Sequence, residues 1–140
     1  NLSSLTKLRE IRLGDKNVTG DIFNLKQLTE LRVISLGGTR VTGDITNLSS
    51  LTGLTKINLD KTGVTGDIRA LRSLTGLTNI NLDSTEVTVP YDCPTYFHEN
   101  PYTSQGTRRP DSLFYPDADS CKKLLNCLNN TVANNEVNEQ

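Results

Sequence analysis

Apolar residues recur along residues 1–91 with a period of 23 and without any insertion or deletion. The period aligns three columns, which are Leu2, Leu25, Leu48 and Leu71; Ile11, Ile34, Ile57 and Ile80; and Val18, Val41, Val64 and Val87. One such unit cannot bury its apolar face alone, so the repetition predicts a solenoid of stacked units. We name the four units coils 1 to 4, and they span residues 1–23, 24–46, 47–69 and 70–91.

Each unit carries an I-x-L segment in which apolar and polar residues alternate. Such alternation is typical of a short strand with one buried face. The predicted strands are Ile11–Leu13, Ile34–Leu36, Ile57–Leu59 and Ile80–Leu82. Stacked coils would place them in a parallel sheet at a spacing of about 4.8 Å.

The consensus L-x-x-L-x-x-I-x-L-x-x-T-x-V-T-G-D-I resembles a leucine-rich repeat of the class that ends in a Gly-x-Ile turn. The resemblance implies an α/β-type solenoid with short parallel strands on its concave face and an irregular convex side. It also implies a non-enzymatic recognition module that binds a protein or a glycan through the concave face.

Polar residues on the outward side of the predicted strands are the candidates for that contact. They are Glu10, Arg12, Arg32, Ser35, Lys56, Asn58, Asp60, Asn79, Asn81 and Asp83. Arg12, Arg32 and Lys56 are the expected charged anchors. The alternative is a merely solvated face, because this surface lacks the aromatic residues that dominate binding hot spots.

The first coil lacks a sequence that could cover it. Its leucines, with Ile11, would present an uncovered apolar edge, which indicates either a fragment of a longer protein or an edge covered by another subunit. The second interpretation gives an alternative function, a structural or assembly subunit that contacts its neighbours through the first repeat and the C-terminal cap.

The regular pattern stops in coil 4, where Val87-Thr88-Val89-Pro90-Tyr91 replaces V-T-G-D-I. Residues 92–128 are predicted to form a cap, because large apolar side chains and cysteines concentrate in this region. The aromatic residues of the segment 91–128 are Tyr91, Tyr96, Phe97, Tyr102, Phe114 and Tyr115. Residues 129–140 are polar and are predicted to be a flexible tail.

One short helix is predicted within the cap. Cys121, Leu124, Leu125 and Leu128 form a single apolar stripe along it. Either Asp119 or Ser120 could cap its start.

The three cysteines constrain one another through this helix. Cys121 and Cys127 would lie about 9 Å apart along its axis and point in different directions, so they cannot pair. Cys93 would then pair with one of them, and we favour Cys121, on the buried stripe, over Cys127. The remaining thiol would be free or bonded to another chain. A disulfide predicts an extracellular or other oxidising compartment, whereas three buried free thiols would indicate a reducing one.

Two polar columns also follow the repeat. Thr39, Thr62 and Thr85 are expected to satisfy backbone groups in the turn, with binding of ordered water or ice as the alternative. Asp21, Asp44 and Asp67 are expected to cap turns in which the preceding glycine supplies a positive φ. A ladder of calcium ions is the alternative for the aspartates.

Charge and composition narrow the function classes. With 15 basic and 16 acidic residues, the chain gives no reason to expect a nucleic acid or an anionic membrane as its partner. No apolar run reaches the length of a membrane span. His98 is the single histidine and has neither a metal-binding spacing nor a nucleophile motif beside it, so we expect no catalysis, metal or cofactor. Glycosylation is permitted at the sequons of Asn1, Asn17, Asn47 and Asn129.

Overall fold

The computed structural model describes residues 5–14, 16–90, 93, 95, 107, 108, 110 and 112–138, and in it the four repeats form a stacked solenoid. The strands are β1 (Glu10–Arg12), β2 (Thr19–Asp21), β3 (Val33–Ser35), β4 (Arg40–Asp44), β5 (Lys56–Asn58), β6 (Gly63–Asp67), β7 (Asn79–Asn81), β8 (Glu86–Pro90), β9 (Thr107–Arg108) and β10 (Phe114–Tyr115). One helix follows, α1 (Ala118–Asn138).

The first strand of each coil joins one parallel sheet in the order β1-β3-β5-β7. Its register places Ile11, Ile34, Ile57 and Ile80 side by side, as the repeat predicts. All four are buried, because each isoleucine is the centre of its strand and points away from solvent. The strands begin one residue earlier than predicted.

The convex side was expected to be irregular, but the V-T-G-D segments of coils 1 to 3 and the V-T-V-P segment of coil 4 form a second parallel sheet, β2-β4-β6-β8. In β4 the side chain of Val41 is buried and that of Thr42 is exposed, which is the alternation of a strand with one buried face. A 3-10 turn follows each of the first three of these strands, at Ile22–Leu25, Ile45–Leu48 and Ile68–Leu71. Two sheets thus enclose a core of leucine, isoleucine and valine.

The cap adds one antiparallel strand to each sheet. β10 pairs with β7, and β9 pairs with β8. The side chain of Tyr115 in β10 is 1% exposed and belongs to the core. The predicted cap aromatics Tyr91, Tyr96, Phe97 and Tyr102 lie outside the described residues. Both sheets therefore end, at the C-terminal side, in a strand that the cap provides.

The cap helix is longer than predicted, because α1 continues from Ala118 to Asn138 through most of the predicted tail, residues 129–138. Its apolar stripe is confirmed, since Cys121, Leu124, Leu125 and Leu128 are all buried. The start of the helix was predicted wrongly, because Asp117 accepts a hydrogen bond from the Ser120 backbone N–H at 2.8 Å. This bond lowers the pKa of Asp117, and the Ser120 hydroxyl lowers it further.

The favoured cysteine pairing is also wrong. Cys93 forms a disulfide with Cys127, with their Cα atoms 5.7 Å apart. Cys121 is a free, buried thiol whose sulfur donates a weak hydrogen bond to the carbonyl of Tyr115 at 3.6 Å. Cys121 lies on the buried stripe of α1 and packs in the core. Cys127 is half-buried, and its Cα lies 5.7 Å from that of Cys93.

Candidate partner-binding surface

The ten predicted contact residues all have accessible side chains. Glu10, Arg12 and Arg32 are exposed, and the others are partly exposed, namely Ser35, Lys56, Asn58, Asp60, Asn79, Asn81 and Asp83. They follow the parallel strands β1, β3, β5 and β7, so the solenoid arranges them on one continuous surface. The structure nevertheless gives the members of this set different partners.

Coil 4 uses its polar residues to hold the cap. The carboxylate of Asp83 accepts hydrogen bonds from the Ser112 hydroxyl, at 3.0 Å, and from the Leu113 backbone N–H. The side-chain amide of Asn79 donates to the carbonyl of Pro116 at 3.2 Å. These two side chains therefore have internal roles that sequence reasoning did not reveal.

Coils 1 to 3 leave more of their side chains uncommitted. Arg12 forms an ion pair with Glu10 at 2.8 Å, so one predicted anchor already has a counter-charge. Asn58 accepts a hydrogen bond from the Asp60 backbone N–H. Gly37 has no side chain, and a Cβ there would collide with the carboxylate of Asp60, so this glycine lets Asp60 lie along the sheet.

Sequence reasoning missed one residue, Arg9. Its backbone carbonyl accepts a hydrogen bond from the Arg32 N–H at 2.7 Å, so Arg9 and Arg32 occupy the same place in adjacent coils. In the next two coils this place holds Thr55 and Thr78, whose hydroxyls donate to the carbonyl one coil earlier. Coils 1 and 2 have arginine at this repeat position where coils 3 and 4 have threonine, and this difference in the sequence could have revealed Arg9.

We name Arg9, Arg32 and Lys56 the cationic cluster, because backbone hydrogen bonds join Arg9 to Arg32 and Arg32 to Lys56 on adjacent coils. Within the part of the chain that the structure describes, none of the three forms an ion pair. Each cluster residue therefore remains available to a negatively charged group from outside the chain.

The repeated threonines and aspartates are structural, as predicted. Thr39, Thr62 and Thr85 donate to the carbonyls of Leu36, Leu59 and Leu82 at 2.6 to 2.7 Å. Asp21, Asp44 and Asp67 each accept the backbone N–H two residues later and so cap the 3-10 turns. The preceding glycines, Gly20, Gly43 and Gly66, have φ values of 124°, 112° and 111°.

The described residues offer no geometry for a metal site or for a helix that crosses a membrane. Among the described residues, no group of three or more histidine, cysteine, aspartate or glutamate side chains could hold a metal ion. His98 lies outside the described residues. No helix in the described part of the chain is long and apolar enough to cross a membrane.

The sequons occupy different environments. The Asn47 amide donates to the carbonyl of Asp44, and the Asn129 amide donates to the carbonyls of Leu125 and Arg72. Asn17 is exposed in the turn before β2, and Asn1 lies outside the described residues.

Solved structures with this solenoid are leucine-rich repeat proteins. An internalin C2 from Listeria monocytogenes is 32% identical over 61% of this chain, with a TM-score of 0.54. The ectodomain of the receptor kinase GASSHO1/SCHENGEN3 from Arabidopsis thaliana, in complex with CASPARIAN STRIP INTEGRITY FACTOR 2, is 27% identical over 63%, with a TM-score of 0.53. The ectodomain of the Arabidopsis receptor kinase SOBIR1 is 24% identical over 66%, with a TM-score of 0.54.

The fold of the chain is therefore that of the leucine-rich repeat proteins. The chain spans 37% of the internalin chain, 11% of the GASSHO1/SCHENGEN3 chain and 50% of the SOBIR1 chain. Neither a protein-family model nor a curated protein matches its sequence.

Proposed function

We propose that this chain is a non-enzymatic recognition module that binds an acidic segment of a protein partner through the concave face of coils 1 to 3. The observation that carries the proposal is the cationic cluster of Arg9, Arg32 and Lys56, whose members form no ion pair within the described residues. Like charges on adjacent coils repel, and a partner carboxylate would relieve that repulsion.

The position of the cap supports the choice of coils 1 to 3. Asn79 and Asp83 of coil 4 already bond to cap residues, so a partner would have to break these bonds to use them. Polar groups without internal partners are available at lower cost. The GASSHO1/SCHENGEN3 ectodomain, a relative in fold, was solved in complex with a ligand. Its complex supports a recognition role here without naming the partner.

The Cys93–Cys127 disulfide supports an extracellular or other oxidising location, because such bonds persist where thiols are not kept reduced. It also weakens the idea of a covalent assembly. Cys121 is fully buried, so no cysteine of the chain offers an accessible thiol to a neighbour.

The test is binding of an array of glutamate- and aspartate-rich peptides, with lysine-rich peptides as the negative set. The double variant Arg9→Glu with Arg32→Glu should weaken binding of the acidic peptides at least about tenfold and reduce its salt dependence. The matched control is Arg40→Glu with Arg72→Glu, which makes the same change of charge at exposed positions outside the cluster. Equal weakening in both variants, or no preference for acidic peptides, would contradict the proposal.

An assembly subunit is the second candidate. The large apolar side chains that are exposed in the described residues, Leu5, Leu13 and Phe23, all belong to coil 1. A native mass spectrum that shows a specific higher-order species, unchanged by the arginine substitutions, would favour this candidate. A monomer that binds acidic peptides would favour recognition.

A further inference from the structure

Coils 3 and 4 carry the same segment, I-N-L-D, where the concave strand ends, and both coils fold it in the same way. The Asn58 side chain accepts the backbone N–H of Asp60, and the Asn81 side chain accepts that of Asp83, each at 3.2 Å. The residues that follow the two aspartates have φ values of 55° and 57°. Equivalent backbone structure therefore presents Asp60 and Asp83.

The carboxylate of Asp83 shows which donors an aspartate at this position can take. Its Oδ1 atom accepts both the Ser112 hydroxyl, at 3.0 Å, and the Leu113 backbone N–H. These two donors come from adjacent residues of the cap that directly precede β10. A hydroxyl and the next backbone N–H thus reach one carboxylate oxygen together.

The carboxylate of Asp60 has no such donors. Within the described residues no hydrogen bond or ion pair reaches it, although the residue is partly buried. It lies over Gly37 of coil 2, where a Cβ would collide with it, and so belongs to the face of coils 1 to 3. Partial burial removes some of the hydration of a carboxylate, which favours a donor from outside the chain.

We propose that Asp60 is a second subsite of the concave face, which accepts a serine or threonine hydroxyl of the partner together with the N–H of the residue after it. The inference rests on the proposed function, in which the cationic cluster binds acidic residues of the same partner segment. Lys56 and Asp60 are four residues apart in coil 3, which corresponds to about 13 Å of extended chain. The partner segment therefore carries its hydroxyl residue about four positions from an acidic residue.

The test uses synthetic peptides with two glutamates and one serine, in which the nearer glutamate stands four positions from the serine and the other residues are glycine. Both chain orders are made, and the order that binds more tightly is used. Replacement of the serine by alanine removes the hydroxyl, and replacement of the next glycine by sarcosine removes the N–H. Each change should weaken binding to the wild-type chain at least about tenfold, because each removes a hydrogen bond to a charged group.

Two variants of the chain connect this preference to Asp60. Asp60→Asn should remove the preference for the serine peptide over the alanine peptide. The matched control, Asp119→Asn, makes the same change at an exposed carboxylate of α1 and should leave the preference unchanged. Gly37→Ala should reduce the preference, because the added Cβ displaces the Asp60 carboxylate.

The outcomes separate this subsite from the proposed function. Equal binding of the serine and alanine peptides, with glutamate still preferred over lysine, would overturn the subsite and leave the proposed function intact. A serine preference that persists in Asp60→Asn would also overturn it, as would tighter binding of a peptide with lysine in place of the serine. Absence of any preference for glutamate would contradict the proposed function itself.

Discussion

Coil 4 and coil 1 differ in what covers their sheets among the described residues. At the C-terminal end, β9 and β10 cover the sheets of coil 4, and the disulfide joins Cys93, which follows β8, to Cys127 of α1 within the cap. At the N-terminal side of the described residues, β1 and β2 each have one neighbouring strand, and Leu5 and Leu13 are exposed. The comparison shows that the side chain at one repeat position is buried or exposed according to which element packs beside it.

The same contrast separates two uses of polar residues. Asp60 and Asp83 occupy one repeat position, yet Asp83 holds the cap whereas Asp60 lies over Gly37 on the open face. Arg9 and Arg32 stand where coils 3 and 4 have threonines that bond between coils. At this position coils 3 and 4 have hydroxyls that bond to the preceding coil, and coils 1 and 2 have arginines that form no ion pair within the described residues.

The largest effect is expected at a repeat position that holds a leucine in each coil, namely Leu13 in coil 1 and Leu59 in coil 3. Leu59→Ala should lower the free energy of unfolding by about 2–5 kcal/mol, since this side chain is fully buried. Leu13→Ala, at the same repeat position, should cost less than about 1 kcal/mol because Leu13 is 42% exposed. Urea unfolding measures both. Equal losses would mean that coil 1 is covered in solution.

Removal of the disulfide should have the next largest effect. The bond closes a loop with a sequence separation of 34 residues, so Cys93→Ser with Cys127→Ser should cost about 2–4 kcal/mol of unfolding free energy. Unfolding of the wild type with and without reductant provides the control. If reductant destabilises the double variant as much as the wild type, the bond is not the cause.

A smaller loss is expected at the cap contact. Asp83→Ala removes the acceptor for the Ser112 hydroxyl and the Leu113 N–H, which should cost about 1–3 kcal/mol. The matched control, Asp60→Ala, should change stability by less than about 0.5 kcal/mol. A greater loss at Asp60 than at Asp83 would contradict the role of Asp83 in holding the cap.

The effect that is smallest at neutral pH, and that develops only at alkaline pH, concerns the Cys121 thiol. Burial, with a smaller contribution from the charge of Asp117, raises the pKa of the Cys121 thiol from 9.0 to about 12. A raised native pKa stabilises the fold fully below pH 9, and this stabilisation is lost as pH rises from 9 towards 12. Cys121→Ala should therefore weaken the dependence of stability on pH in this range alone. A pH profile parallel to that of the wild type would contradict the prediction.

The repeat could be predicted closely because its physics is local. A period of 23 with apolar residues in register leaves few ways to bury Leu28, Ile34 and Ile57 other than stacked coils. The roles of Thr62 and Asp44 also followed, since both bond to backbone groups within three residues.

The cap and the surface could not be predicted as well, because their contacts join residues far apart in sequence. Asp83 meets Ser112 across 29 residues, and no period connects the two. Burial on the helix stripe favoured Cys121 for the disulfide, but the fully buried Cys93 lies beside the half-buried Cys127, with their Cα atoms 5.7 Å apart. Arg9 lies just before β1 begins at Glu10. The alternation of apolar and polar residues describes positions within a strand, so it did not identify Arg9 as an exposed contact residue.

The most direct test of the contrast between the two ends is native-state hydrogen exchange on the unmodified chain, resolved by residue. The open first coil predicts that amides of β1 and β2 exchange much faster than those of β7 and β8, which the cap covers. Protection of β1 and β2 equal to that of β7 and β8 in a dilute monomer would contradict the account.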